Sequence, residues 1–172
     1  TESHVPVAVS GAGASGVVAV GSASSHSFIL TGDGSLWAMG RNDFGQLGDG
    51  SNTNSDVPVP VSGAGTSEVV AIAEGNGGLH SLFVKQDGSL WAMGRNNFGQ
   101  LGNGSNTDSN VPVPVSGAGA SGVVAAAAGS GGQSLFVKRD GSLWAMGSNN
   151  FGQLGIGSTA DSNIPVAVGG AG

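Results

Sequence analysis

Cysteine is missing from this chain, cationic side chains are few, and no apolar run is long. Without cysteine there are no disulfides and no thiolate-metal sites, although exported and cytosolic proteins can both lack the residue. Charged residues make up 9% of the chain, and Arg41, Lys85, Arg95, Lys138 and Arg139 are its only fixed cations, against 11 acids, for a net charge of -6. A phosphate backbone calls for a basic stripe, so nucleic acid is not expected as a partner. No run approaches the roughly 20 apolar residues that span a bilayer, and no basic-then-apolar leader opens the chain. No Ser/His/Asp spacing, phosphate loop or paired carboxylate set stands out as catalytic, so neither enzymatic activity nor a cofactor is expected. The chain opens Thr1-Glu2-Ser3-His4 with no methionine, which suits a processed exported protein or a fragment boundary. A secreted or cell-surface location is expected.

Glycine is abundant instead, with 34 residues beside 6 prolines. That balance verges on a linker, but 38% of the residues are hydrophobic and valine, leucine and alanine fall in short ordered runs. Such runs between glycine turns argue for strands and an all-β fold. The chain also repeats itself. Leu36-Trp37-Ala38-Met39-Gly40-Arg41-Asn42-Asp43-Phe44-Gly45-Gln46-Leu47-Gly48 returns nearly unchanged at residues 90–102 and 143–155, which places Trp37, Trp91 and Trp144 at steps of 54 and 53 residues. Recurrence at a fixed spacing is the mark of a repeat architecture. Valine-proline segments keep the same time at residues 5–9, 57–61, 111–115 and 164–168, so four of them accompany three tryptophan segments.

Each unit reads as four short strands. The first, Val17-Val18-Ala19-Val20 with its counterparts at 69–72 and 123–126, is continuously apolar and is expected to be buried on both faces. The second is His26-Ser27-Phe28-Ile29-Leu30, matched at 80–84 and at 133–137, where Gln133 replaces histidine. Asp33-Gly34, Asp87-Gly88 and Asp140-Gly141 then accept the positive φ angles of a tight hairpin, so the tryptophan strand pairs antiparallel with the second. The valine-proline segment is the fourth, and its missing backbone donors confine it to a sheet edge. A loop of about 17 residues separates the third and fourth strands, and its first half is nearly invariant while its second half varies.

The succession of a glycine-rich lead, His-Ser, an apolar strand, Asp-Gly, Leu-Trp-Ala-Met-Gly, Asn-x-x-Gly-Gln-Leu-Gly and a proline-bearing strand resembles the repeat of the regulator of chromosome condensation family. The resemblance covers essentially the whole chain. It implies a β-propeller in which each repeat supplies one four-stranded antiparallel blade, and closed members usually have seven repeats. It also implies binding roles, among them exchange-factor activity on a small GTPase and inhibition of a β-lactamase by loops at one propeller face. Fold alone does not choose among these.

Three blades are therefore expected: 17–61, 62–115 and 116–172, after a lead segment of residues 1–16 that carries the spare edge strand. Alternation of Phe28 with Ile29, Leu82 with Phe83 and Trp91 with Met93 is expected to place bulk on both faces of a blade, so an open stack of three leaves two faces wet. A few hundred Å² at each end would forgo about 10 kcal/mol, which rivals the stability of a typical domain. The partial propeller is thus expected to complete itself by oligomerisation, as a homodimer closing a ring or as a head-to-tail filament or surface subunit formed by strand exchange. Val5, Val7 and Val9 of the spare strand and Ile164, Val166 and Val168 of the last are the candidate assembly residues. Binding of another protein through the variable loops, as an inhibitor or docking module, is the alternative.

Several side chains suit either a ligand site or a scaffold. Trp37, Trp91 and Trp144, together with Asn42, Asn96 and Asn149 and with Gln46, Gln100 and Gln153, repeat too faithfully for a unique site, and are expected to hold strands and loop backbone. Phe44, Phe98 and Phe151 are expected to anchor the loops on the blade edge. Asp49, Asp56, Asp108 and Asp161 lie among closely spaced oxygen-bearing residues, as in a calcium loop, but without the glutamate of an EF-hand. His26 and His80 share a position with Gln133, an exchange that a hydrogen bond tolerates and a metal or general-base role does not. Asn103-Gly104-Ser105 fits a glycosylation acceptor.

Overall fold

The computed structural model describes residues 4–11, 13–63, 66–73, 79–117 and 120–169. Of the expected lead segment, residues 1–3 and 12 lie outside these, as do 118–119 and 170–172 of the third unit. All regular elements among the described residues are β-strands. In the first unit these are β1 (Val17–Ser22), β2 (His26–Thr31), β3 (Leu36–Gly40) and β4 (Ser55–Pro60); in the second, β5 (Val69–Ala73), β6 (His80–Lys85), β7 (Leu90–Gly94) and β8 (Ser109–Pro114). The third unit comprises β9 (Val123–Ala128), β10 (Gln133–Lys138), β11 (Leu143–Gly147) and β12 (Ser162–Ala167). Each unit is one antiparallel sheet with its strands in chain order. Among the described residues no helix is long and apolar enough to cross a membrane.

The hairpins form as the Asp-Gly dipeptides suggest, with one refinement. Only the glycine takes a positive φ, +81° at Gly34, while the Asp33 carboxylate accepts from the Ser35 amide at 3.0 Å. The aspartate thus organises the turn and glycine supplies the left-handed residue. The proline-bearing strands β4, β8 and β12 each form an outer edge of their sheet.

Strand β5 touches both β1 and β9, so the first strands converge towards a common axis and the fourth strands form the rim. This overturns the expectation that the first strand is covered on both faces. It is an edge strand, and Val18, Val70 and Val124, which share one repeat position, are all exposed. The spare segment is a second departure: residues 5–9 lie in no strand, and Val5, Val7 and Val9 are exposed. The loop between β3 and β4 spans residues 41–54, shorter than expected because β4 begins before the first valine.

Two cores lie between blades rather than within them. Phe28, Leu30, Leu36 and Ala38 of the first blade meet Phe83 and Met93 of the second, with Leu47, Val61 and Val69 closing the ends. Leu82, Val84, Leu90 and Ala92 of the second meet Phe136 and Met146 of the third, closed by Leu101, Val115 and Val123. The alternation of a strand sorts these residues. Trp91 and Met93 therefore share the face towards the first blade, contrary to the expectation that they divide between two faces. Leu90 and Ala92 carry the opposite one.

Candidate interaction faces

The repeated loop is a self-contained clasp. Asn42, fully buried, donates from Nδ2 to Asp49 Oδ1 (3.0 Å) and to the carbonyls of Ser51 (3.1 Å) and Thr53 (3.2 Å), while its Oδ1 accepts from the Leu47 amide at 2.9 Å. Asn96 repeats the pattern with Asn103, Ser105, Thr107 and Leu101. Asn149 does so with Ser158, Ala160 and Leu154. Gln46, Gln100 and Gln153 each accept from the amide of the phenylalanine two residues earlier. One asparagine thus satisfies backbone groups across the whole loop, which explains its recurrence without any ligand.

The calcium candidates are spent in these clasps or dispersed. Asp49 accepts from Asn42 and Ser51, whereas Asp108 and Asp161 accept from the backbone amides of Asn96 (2.6 Å) and Asn149 (2.7 Å). Asp56 lies apart, exposed at the rim. No group of three or more potential ligands gathers among the described residues. Asn103 is likewise engaged, its Oδ1 accepting from Asn96 and from the Ser105 amide.

The histidines work between blades. His26 Nε2 lies 3.0 Å from Ser81 Oγ, and that hydroxyl donates to the Gln46 carbonyl at 3.1 Å. His80 Nε2, Ser134 Oγ and the Gln100 carbonyl repeat this at 2.8 and 2.8 Å. A hydroxyl has one proton, so the imidazole must be the donor, which fixes its tautomer as Nε2–H. Burial, and secondarily the His26 ring, push the His80 pKa down to about 4, so it is neutral at pH 7. Gln133 can offer the same N–H from its amide. The serine partner escaped the sequence reading, although Ser27, Ser81 and Ser134 are kept in all three units while histidine is not.

At the rim, each blade's loop grips the next blade's fourth strand. Asn110 Nδ2 donates to the Gly50 carbonyl (3.0 Å) and Asn52 Oδ1 (3.2 Å), and the Gly50 amide donates to the Asn110 carbonyl at 2.9 Å. Asn163 Nδ2 donates to Asn106 Oδ1 at 2.9 Å, with the Gly104 amide on the Asn163 carbonyl. The backbones approach so closely that a Cβ on Gly45 would collide with Asn110, and one on Gly99 with Asn163; both glycines also take a positive φ. Arg95 caps the ring of Phe44 from the neighbouring blade at 5.2 Å. The third unit has Ser148 in place of that arginine, and Phe98 packs beside Gly132 instead. Phe44 and Phe98 are thereby half-buried. Phe151 is 94% exposed and does not anchor its loop.

Among the described residues no further blade covers the outward faces of the first and third blades. On the first blade Ser27, Ile29 and Met39 line an apolar groove of about 590 Å³ that Ala8, Val9 and Ala14 of the chain's own lead also line, and Ile29 is only 4% exposed. On the third, Leu135, Val137 and Leu143 line a shallower one of about 160 Å³. Of the candidate assembly residues, Ile164 and Val166 lie in β12 and Val168 just beyond it, opposite the Leu143 carbonyl that accepts its amide at 2.9 Å.

The model of the regulator of chromosome condensation (RCC1) repeat matches residues 33–84, 87–132 and 140–172. The chain belongs to the RCC1 repeat family. An RCC2 homologue of Danio rerio is 36% identical over 82% of this chain, and human RCC2 is 35% identical over the same share. The human E3 ubiquitin-protein ligase HERC2 is 29% identical over 87%. This chain spans 28% of the fish protein, 26% of human RCC2 and 3% of HERC2. Among solved structures, human WBSCR16 superposes with a TM-score of 0.77 at 27% identity, over 88% of this chain and 37% of that one. Prp20p from Saccharomyces cerevisiae, described with its binding properties to Gsp1p and histones, superposes with a TM-score of 0.76 at 25% identity, over 91% and 39%. The three sheets are thus an RCC1-type partial propeller.

Proposed function

We propose that the chain is a non-enzymatic interaction module that assembles with copies of itself through the open faces of its end blades, closing a ring as a homodimer. What supports this reading is that residues buried at the inner junctions recur, at the same repeat positions, on the outward faces of the end blades, and on the third blade they are uncovered. Leu90 is buried at 1% exposure and Leu143 stands at 38%. Light scattering in solution tests it: the expected mass is twice the 16.5 kDa of one chain, and a concentration-independent monomer would end it.

A second reading is an exported filament joined by strand exchange. It is favoured by the exposed valines of residues 5–9 and by their spacing, since Val5, Val57 and Val111 each stand 12 residues before Val17, Val69 and Val123. The spare segment is spaced as the outer strand of a blade preceding the first. Removing residues 1–7, which takes Val5 and Val7 from the spare segment and leaves the Val9 edge of the groove in place, separates the two readings. Docking of faces survives the truncation, whereas strand exchange is lost with it. A third use, capture of another protein by the variable loop halves, follows from the binding described for Prp20p and is read as association with an added partner rather than with a second copy.

A further inference from the structure

The two inner junctions serve as a template for a third. At each, the earlier blade contributes a strand-start donor (His26 or His80), a loop phenylalanine (Phe44 or Phe98) and a rim residue (Asn52 or Asn106). The later blade contributes a serine (Ser81 or Ser134), a core methionine (Met93 or Met146) and the rim asparagine (Asn110 or Asn163). The third blade displays the whole earlier set without its complement, as Gln133, Phe151 and Thr159. The first blade displays the whole later set, as Ser27, Met39 and Asp56, together with Arg41 at the position from which Arg95 caps Phe44.

Resting on the self-assembly reading above, we propose that the open face of the third blade docks head-to-tail on the open face of the first blade of a second copy, with Gln133 on Ser27, Phe151 under Arg41 and Thr159 on Asp56. Two observations single out this occupant. Phe151 is bare where Phe44 carries a guanidinium. The substitutions at the rim are also paired. Asparagine meets asparagine at both inner junctions, but the open faces offer Thr159, whose hydroxyl donates, and Asp56, which only accepts. Two copies of the same face cannot make these contacts, because each set requires the other. The junction is heterologous, and two such junctions close a ring of two chains.

The chain has no native thiol, so single cysteines report the geometry directly. Asp56→Cys and Thr159→Cys both fall at exposed positions and are treated with a short bismaleimide, each alone and then mixed. The double variant N52C/N110C is the in-chain control, because those side chains touch across an inner junction. Head-to-tail docking predicts no cross-linked dimer from either variant alone and a cross-linked dimer from the mixture. Cross-linking of D56C with itself would instead put first blade on first blade and overturn the proposal. A dimeric mass with no cross-link in the mixture would overturn it too, leaving self-assembly standing, whereas a monomeric mass would remove both. As a second readout, Phe151→Ala and Arg41→Ala are each expected to raise the dissociation constant by about fivefold, and an unchanged constant for both would contradict the pairing.

Discussion

The middle blade and the end blades are built from nearly the same residues and differ in what lies against them. Val69 and Val123 are 4% and 3% exposed, whereas Val17, the same residue on the outward side of the first described blade, is 43% exposed. Leu36 and Leu90 are covered, whereas Leu143, on the outward side of the third, is not covered by any described residue. A blade face in this fold is half of a core. Its burial is a property of the pair, which is why the same sequence reads as interior in one place and as surface in another.

The largest expected effect compares equivalent leucines. Leu90→Ala removes a side chain enclosed between two blades and is expected to cost about 3 kcal/mol in urea unfolding. Leu143→Ala in a dilute, monomeric sample is expected to cost under about 1 kcal/mol, since the residue already faces solvent. If the two cost the same at concentrations where the chain is associated, a second copy is covering Leu143.

A comparable change comes from pH at the junction of the second and third blades. The folded His80 pKa of about 4 lies below the ordinary value of 6.5, so between these the unfolded chain binds a proton that the folded one refuses. Stability is therefore complete above about pH 6.5 and falls as the pH drops towards 4, by up to about 3 kcal/mol. His80→Gln keeps the N–H donor that Gln133 offers in the third unit, and is expected to flatten the dependence. Urea midpoints of the two proteins across this window check it, and parallel curves would assign the loss to other groups.

The smallest effect sharpens the comparison at the loop tips. Arg95→Ala removes the nearer of two guanidinium groups over Phe44, the other being that of Arg41 at 5.9 Å, and is expected to cost about 0.5–1 kcal/mol, whereas Arg41→Ala, which loses the longer contact and an exposed pair with Asp43, is expected to leave the stability of the monomer within about 0.5 kcal/mol. Thermal melts of the two variants in dilute solution read the difference.

The architecture was legible because each local signal had one structural outcome. Asp33-Gly34 could only turn, Pro58 and Pro112 could only lie at an edge, and a dozen residues repeated three times could only be a stack of units. The loop clasp was legible in kind, since an asparagine kept at positions 42, 96 and 149 reads as scaffold. Its partners were not, because they lie up to 12 residues away in the half of the loop that varies. The first strand was misread for a physical reason. A run of valines fits a strand buried on both faces, but here one side of the strand looks onto the axis, where the neighbouring blades do not meet it. The link from His80 to Ser134 spans 54 residues and could not be seen within one repeat. Aligning Ser27, Ser81 and Ser134 against His26, His80 and Gln133 would have exposed it.

If open faces are halves of a core, covering them must stabilise the fold, and association then makes stability depend on protein concentration. The urea midpoint of the intact chain over a wide dilution series reads this directly. A midpoint that falls steadily on dilution is the expected result, and a midpoint that stays constant throughout would contradict the account.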